Sequence, residues 1–297
     1  MGFTNQSQWI CIALILSLGA LASQATARTL QDESMRERHE QWMAHYGRVY
    51  EDNYEKENRF KICKENVARI ESSNSDANKS YKLKFKALRN RYKGHECSTE
   101  TTSFKYENVT ALPSSMDWRK KGAVTPIKDQ GQCGCCWAFS AMAAMEGITQ
   151  LTTGKLISLS KQELVDCDTK GVDQGCQGEA NCPYMGVDGT CNANEEANDA
   201  AKIIGYEDVP ANSEQALLKA VANQPVSVAI DAGGFEFQFY STGVLTGPCG
   251  TSLDHGVTVV GYGGTQWGEE GYMQMQRDVA AKEGLCGIAM EASYPTA

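Results

Sequence analysis

From Trp137 to Leu151 the chain is apolar on nearly every side of a helical wheel. A helix of that kind has no broad polar face to give to water, so other elements must enclose it and it belongs in a core. Ser160-Lys161-Gln162-Glu163 then has the pattern of a capping box, which opens a short second helix. Beyond it the texture turns to strands. Val226, Val228 and Ile230 alternate, Val257–Val260 is a β-branched run, and Met273 and Met275 alternate with Gln274 and Gln276, with glycine-rich turns between. A helical half followed by a β-rich half predicts an α+β architecture, with a cleft between the halves as the natural place for a site.

The stretch ahead of that helix divides by charge. Residues 1–27 hold no Lys, Arg, Asp or Glu, and they carry an apolar run from Trp9 to Ala22 followed by Ala25-Thr26-Ala27. This is the pattern of a signal peptide, which predicts entry into the secretory pathway. Residues 28–112 hold 17 Lys and Arg against 14 Asp and Glu, a net of +3, whereas 113–297 hold 11 against 23, a net of −12. An acidic larger part argues against nucleic acid as a partner and favours a basic segment lying on an acidic one. In the basic segment Met35, His39, Trp42 and Tyr46, and again Phe60, Cys63, Val67 and Ile70, recur at helical spacing and predict two amphipathic helices. Pro113-Ser114-Ser115 reads as an exposed boundary, and Asn78-Lys79-Ser80 and Asn108-Val109-Thr110 are sequons.

Twelve cysteines in a secreted chain predict a disulfide framework, yet three of them, Cys133, Cys135 and Cys136, crowd the start of the apolar helix. A metal reading lacks a second ligand pair at finger-like spacing, and a redox reading of Cys133-Gly134-Cys135-Cys136 lacks a βαβ context. Two readings stay open: all three sulfurs in structural bridges, or one of them a nucleophile. Of the four histidines only His255 follows residue 112. A thiolate at a helix N-terminus is stabilised by the macrodipole, and a nearby imidazolium would stabilise it further and protonate a leaving amine. Cys136 stands where that role requires.

The stretches QGQCGCCWAFS (130–140), LSKQELVDC (159–167), GCQG (175–178), LDHGVTVVGYG (253–263) and WGEEGY (267–272) together resemble the papain-like cysteine proteases, above all those of plants. Glu55, Arg59, Asn66, Ile70 and Asn74 resemble the family's inhibitory propeptide helix, with Cys63 where that pattern has Phe. The resemblance implies a zymogen with a signal peptide over 1–27, a propeptide over 28–112 and a papain-like peptidase over 113–297. By it Cys136 is the nucleophile, His255 the acid–base, and Gln130 the oxyanion donor beside the Cys136 N–H. Gly178, Ala229, Leu253, Asp254, Gly256, Trp267 and Glu291 would contact substrate. Bridges would join Cys133 to Cys176, Cys167 to Cys191 and Cys249 to Cys286, leaving Cys135 as a bystander and Cys182 over. The implied chemistry is peptide hydrolysis through a thioester, with no cofactor and no metal. Its partners would be polypeptide substrates and the chain's own propeptide as intramolecular inhibitor, in a monomer that binds neither nucleic acid nor membrane. Its destination would be the cell exterior, a vacuole or a lysosome.

The chain also departs from the family pattern. No Asn occurs from Gly256 to Ala297, so the residue that orients the histidine in the family is missing, and Gly263-Gly264-Thr265-Gln266-Trp267 reads as the join across a lost strand. Gly178 runs directly into Glu179-Ala180-Asn181-Cys182, a second loss within the peptidase region, and Leu83-Lys84-Phe85 is a third join, in the propeptide. The first loss is expected to leave Val257–Val260 partly unpaired. A catalytically impaired homologue acting as a secreted binding or inhibitor-like protein is therefore the alternative function.

Overall fold

A computed structural model of the chain describes residues 32–45, 47–85, 104–131, 133–167, 200–269 and 271–297. The chain divides into two compact units, Met1–Ser72 and Ser73–Ala297.

In the first unit residues 32–45 form helix α1, and α2 (Asn53–Ser75) runs on into the second unit. Asp52 and Glu55 set the start of α2: the Glu55 N–H donates to Asp52 Oδ1 at 2.7 Å, and Glu55 Oε2 accepts from the Glu51 N–H at 3.2 Å. Side-chain acceptors at this end satisfy amides that have no partner inside the helix. The helical spacing of the sequence is realised as burial, with Met35 and His39 inside from the first helix and Phe60, Cys63, Val67 and Ile70 from α2. His39 packs among three rings, at centroid distances of 6.0 Å from Trp42, 6.1 Å from Tyr50 and 5.7 Å from Phe60.

Two sheets organise the described residues of the second unit. A six-stranded sheet has the order β1-β5-β9-β8-β7-β2, from β1 (Tyr81–Leu83), β5 (Tyr240–Leu245), β9 (Gln274–Gln276), β8 (Gln266–Trp267), β7 (Gly261–Gly263) and β2 (Ser115–Asp117). A four-stranded sheet has the order β3-β10-β4-β6, from β3 (Gly205–Asp208), β10 (Ala292–Thr296), β4 (Val226–Ile230) and β6 (His255–Val259). Along β4 Val226, Val228 and Ile230 are buried in alternation, as the sequence predicts. The apolar helix is α3 (Cys136–Thr153), packed on β4, β6 and β10, and the capping box opens α4 (Lys161–Cys167), where Ser160 Oγ accepts from the Glu163 N–H at 3.3 Å.

One residue breaks the apolar reading of α3. Glu146 is 1 % exposed and receives the Lys161 ammonium, itself buried, together with Lys128 at 3.2 Å, the Thr125 hydroxyl at 2.6 Å and the Leu159 N–H at 2.9 Å. The buried carboxylate is tolerated because its oxygens are satisfied by two cations and two neutral donors.

β1 comes from the basic segment and pairs antiparallel with β5, Tyr81 opposite Gly243 and Lys82 opposite Thr242. Gly243 has φ +89°, and a Cβ on it would lie 2.2 Å from the Ser80 carbonyl oxygen, so only glycine admits the strand this close. Asn74, at the end of α2, fixes the approach by bonding both the N–H and the C=O of Leu83 at 2.8 Å. The chain then lays Phe85 against Phe239, with centroids 5.8 Å apart.

At the 263–267 join the structure closes a tight hairpin. β7 and β8 pair across a two-residue turn, with Gly264 at φ +46° in its first position. β6 lies at the edge of its sheet, paired with β4 from His255 to Val259. α3 also ties to this strand: Ser140 Oγ donates to the Val257 carbonyl at 2.5 Å, and Thr258 Oγ1 donates to the Ser140 carbonyl at 3.1 Å.

Candidate active site

Cys136 is the first residue of α3, and the Gly256 N–H of β6 donates to its sulfur at 3.3 Å. The β4–β6 ladder sets this meeting. The Asp254 N–H donates to the Ile230 carbonyl at 2.9 Å, His255 stands opposite Ile230, and Gly256 stands opposite Ala229. Asp254 is further tied by accepting the Ala232 N–H on its carboxylate at 2.7 Å. The residue between Asp254 and Gly256 is His255, so the ladder that aims the Gly256 amide at sulfur also fixes the backbone of the histidine.

The helix start and a nearby imidazolium would favour a thiolate, and burial works against it. Cys136 is 2 % exposed, and burial pushes its thiol up to about 11, against the pull of the N–H groups of Gly256, Trp137 and Cys136 itself. Removing a thiolate from water costs more here than the helix terminus returns. Cys135 is 0 % exposed and clusters with Cys133, Ala138 and Val165, with Trp137, Phe139 and Leu164 packed around them. Its thiol is enclosed in core.

Gln130 lies in the loop before α3. Its Nε2 donates to the Cys133 carbonyl at 2.7 Å, and the Cys133 N–H donates back to the Gln130 carbonyl at 3.3 Å. The side-chain amide thus ties down the loop in this state of the protein.

Two of the expected substrate contacts meet across β4 and β6, and a third, Glu291, joins them from the residue before β10. Ala229 faces Gly256, and the Ala229 N–H donates to the carbonyl of Glu291 at 2.9 Å. Leu253 packs near Gly287, since a Cβ on that glycine would come within 2.8 Å of its side chain. A cleft of about 390 Å³ opens beside Asp254, lined also by Asp231, Gly233, Pro248 and Ser252. Trp267 does not join this group: it sits in β8 of the other sheet, 2 % exposed, with its indole N–H on Glu214 at 2.9 Å. Gly178, Cys176, Cys182 and Cys191 lie outside the described residues. Cys249 and Cys286 form a disulfide, and Cys133 and Cys167 are each disulfide-bonded. The Gly256 amide as a donor to sulfur, and the buried Glu146–Lys161 pair, carry no signal in the sequence, because each depends on segments far apart in the chain.

Residues 112–182 and 177–296 match the family described as papain family cysteine protease, and residues 39–88 match the cathepsin propeptide inhibitor domain. The senescence-specific cysteine protease SAG39 of Oryza sativa subsp. indica is 51 % identical over 336 residues, covering 97 % of this chain and 98 % of the relative. That span exceeds the 297 residues present here, so at least 39 of its positions have no counterpart in this chain. SAG12 of Arabidopsis thaliana, a protease of the same description, is 50 % identical over 91 % of this chain and 93 % of the relative. Among solved structures, a recombinant stem bromelain precursor is 40 % identical with a TM-score of 0.73, covering 89 % of this chain and 99 % of that one. The proform of the ragweed pollen allergen Amb a 11, a cysteine protease, is 38 % identical with a TM-score of 0.76, covering 89 % and 86 %. With sequence, propeptide and α+β fold in agreement, the chain belongs to the papain family of cysteine proteases and is a cysteine endopeptidase made with its propeptide.

Proposed function

We propose that Cys136 is the nucleophile of this endopeptidase and His255 its acid–base. The observation that carries this is the 3.3 Å contact of the Gly256 N–H with Cys136 sulfur, which sets the residue after His255 against the start of α3. His255 takes the proton of Cys136 to give the attacking thiolate. The thiolate adds to the peptide carbonyl, the Cys136 N–H and the Gln130 amide stabilise the oxyanion, and the imidazolium protonates the leaving amine. Water then hydrolyses the thioester. The Gln130 amide carries two N–H groups, so one can hold the Cys133 carbonyl while the other serves the oxyanion. The β4–β6 ladder and Asp254 hold the backbone of His255 in position. Ala229, Leu253, Gly256 and Glu291 form the walls of the main specificity pocket, and Gly178 contributes to substrate binding, whereas Trp267, enclosed in β8 with its indole N–H on Glu214, does not.

Residues 1–27 are a signal peptide, 28–112 the inhibitory propeptide and 113–297 the peptidase, which acts as a monomer after passage through the secretory pathway to the cell exterior, a vacuole or a lysosome. Among the relatives is a KDEL-tailed cysteine endopeptidase of Arabidopsis thaliana, and among the described residues no helix is long and apolar enough to cross a membrane. Cys133 pairs with Cys176 and Cys167 with Cys191.

Alkylation by iodoacetamide, mapped by mass spectrometry, tests the assignment. At pH 7 the intact chain is expected to react slowly at Cys136, and acidification followed by return to pH 7 is expected to raise labelling there by about tenfold or more while Cys135 stays unmodified. Labelling of Cys135 ahead of Cys136 would overturn the assignment.

A further inference from the structure

We propose that the surface around Tyr294 and Gln224 is a receptor for the stretch Phe104–Glu107, and that this latch keeps the propeptide on the peptidase after the chain is cut between Thr110 and Ser114. The proposal rests on reading residues 28–112 as a propeptide.

Lys105, Glu107 and Asn108 are exposed in a turn, but Tyr106 between them is 9 % exposed. Its ring lies 5.1 Å from that of Tyr294, and Phe104 meets Tyr294 edge-on at 6.3 Å. The Tyr106 hydroxyl donates to Gln224 Oε1 at 3.1 Å. Gln224 is 0 % exposed, and its own Nε2 donates to the Pro295 carbonyl at 3.0 Å. Glu207 completes the socket by accepting on one oxygen both the Lys105 N–H at 3.0 Å and the Tyr294 hydroxyl at 2.5 Å. An aromatic side chain that is buried, stacked and satisfied at its polar tip has the features of a binding hot spot. Burial and the neighbouring Glu207 push the Tyr106 phenol up to about 12, so the hydroxyl remains a donor at physiological pH.

Downstream the character changes. Thr110, Ala111, Pro113, Ser114 and Ser115 are exposed, and 109–113 are irregular. A cut there severs the covalent link and leaves every contact of Tyr106 in place. The strand β1 is a second anchor on the same unit, so the two sites hold one segment bivalently, and each raises the effective concentration of the other. The partner that fits the socket is an aromatic–basic–aromatic peptide, supplied first by the chain itself.

The test uses the full chain carrying Cys136→Ser, with a recognition sequence for an added site-specific protease placed between Thr110 and Ser114. The cut is then independent of the chain's own activity, whose failure would show separately as loss of peptide hydrolysis by the wild-type chain. Surface interferometry at pH 7 gives the off-rate of the N-terminal fragment. Tyr106→Ala is expected to raise it by at least roughly tenfold, and Tyr106→Phe, which keeps the rings, by about threefold. A peptide spanning Phe104–Thr110, added in excess, is expected to speed release from the unsubstituted nicked chain, and its Tyr106→Ala version to have no effect. An off-rate unchanged by either substitution, or a peptide that does not compete, would overturn the proposal.

Discussion

At the scale of single residues, the buried carboxylate of Glu146 binds α3 to its surroundings. It joins Lys161 at the start of α4 and Lys128 in the loop before Gln130, so one side chain links the two helices to the segment that leads into the site. Removing one member of a buried pair leaves the other charged and desolvated, which costs about 3–5 kcal/mol. Glu146→Gln is expected to lower unfolding stability by about that amount in urea titrations, since two cations lose their partner. Lys161→Met is expected to cost less, because Lys128, Thr125 and the Leu159 amide remain on the carboxylate. Equal losses, or the reverse order, would contradict the arrangement.

At the scale of elements, the paired helices of the first unit carry a response to acid. His39 is 3 % exposed among Trp42, Tyr50 and Phe60. Burial holds its imidazole below the ordinary 6.5; Glu40 pulls it back up, while Lys56 and Arg36 push it further down. Because the folded value is the lower one, the unfolded chain takes up the proton first. The stabilisation is therefore complete above about pH 6.5 and is lost as pH falls from there through the folded value. Circular dichroism of the full chain between pH 7 and pH 5 is expected to show helix loss that His39→Phe reduces, and an identical acid profile for the two chains would refute it. These helices were legible in the sequence because local periodicity writes them, and so were β4 and β9. The hairpin of β7 and β8 was not, since its strands are too short for a pattern and its closure depends on one glycine turn. β1 escaped for another reason: nothing within Tyr81–Leu83 announces a partner more than 150 residues away, and the permissive residue, Gly243, lies in that partner.

At the scale of the whole molecule, the net charges of +3 and −12 on the basic and acidic parts favour their association until carboxylates titrate. The positions of Cys136 and His255 were readable from motif and count. Their environment was not: the sulfur's burial, its Gly256 donor and the engagement of Gln130 with Cys133 arise only when β6 meets α3. The central claim is that the chain hydrolyses peptides through Cys136, and the steady-state rate on a fluorogenic peptide after acid activation measures it most directly. Cys136→Ser is expected to lower that rate by at least about a thousandfold, and Cys135→Ser, in a thiol held in the core, to leave it within about threefold. A wild-type rate no higher than that of Cys136→Ser, or equal loss from the two substitutions, would contradict the claim.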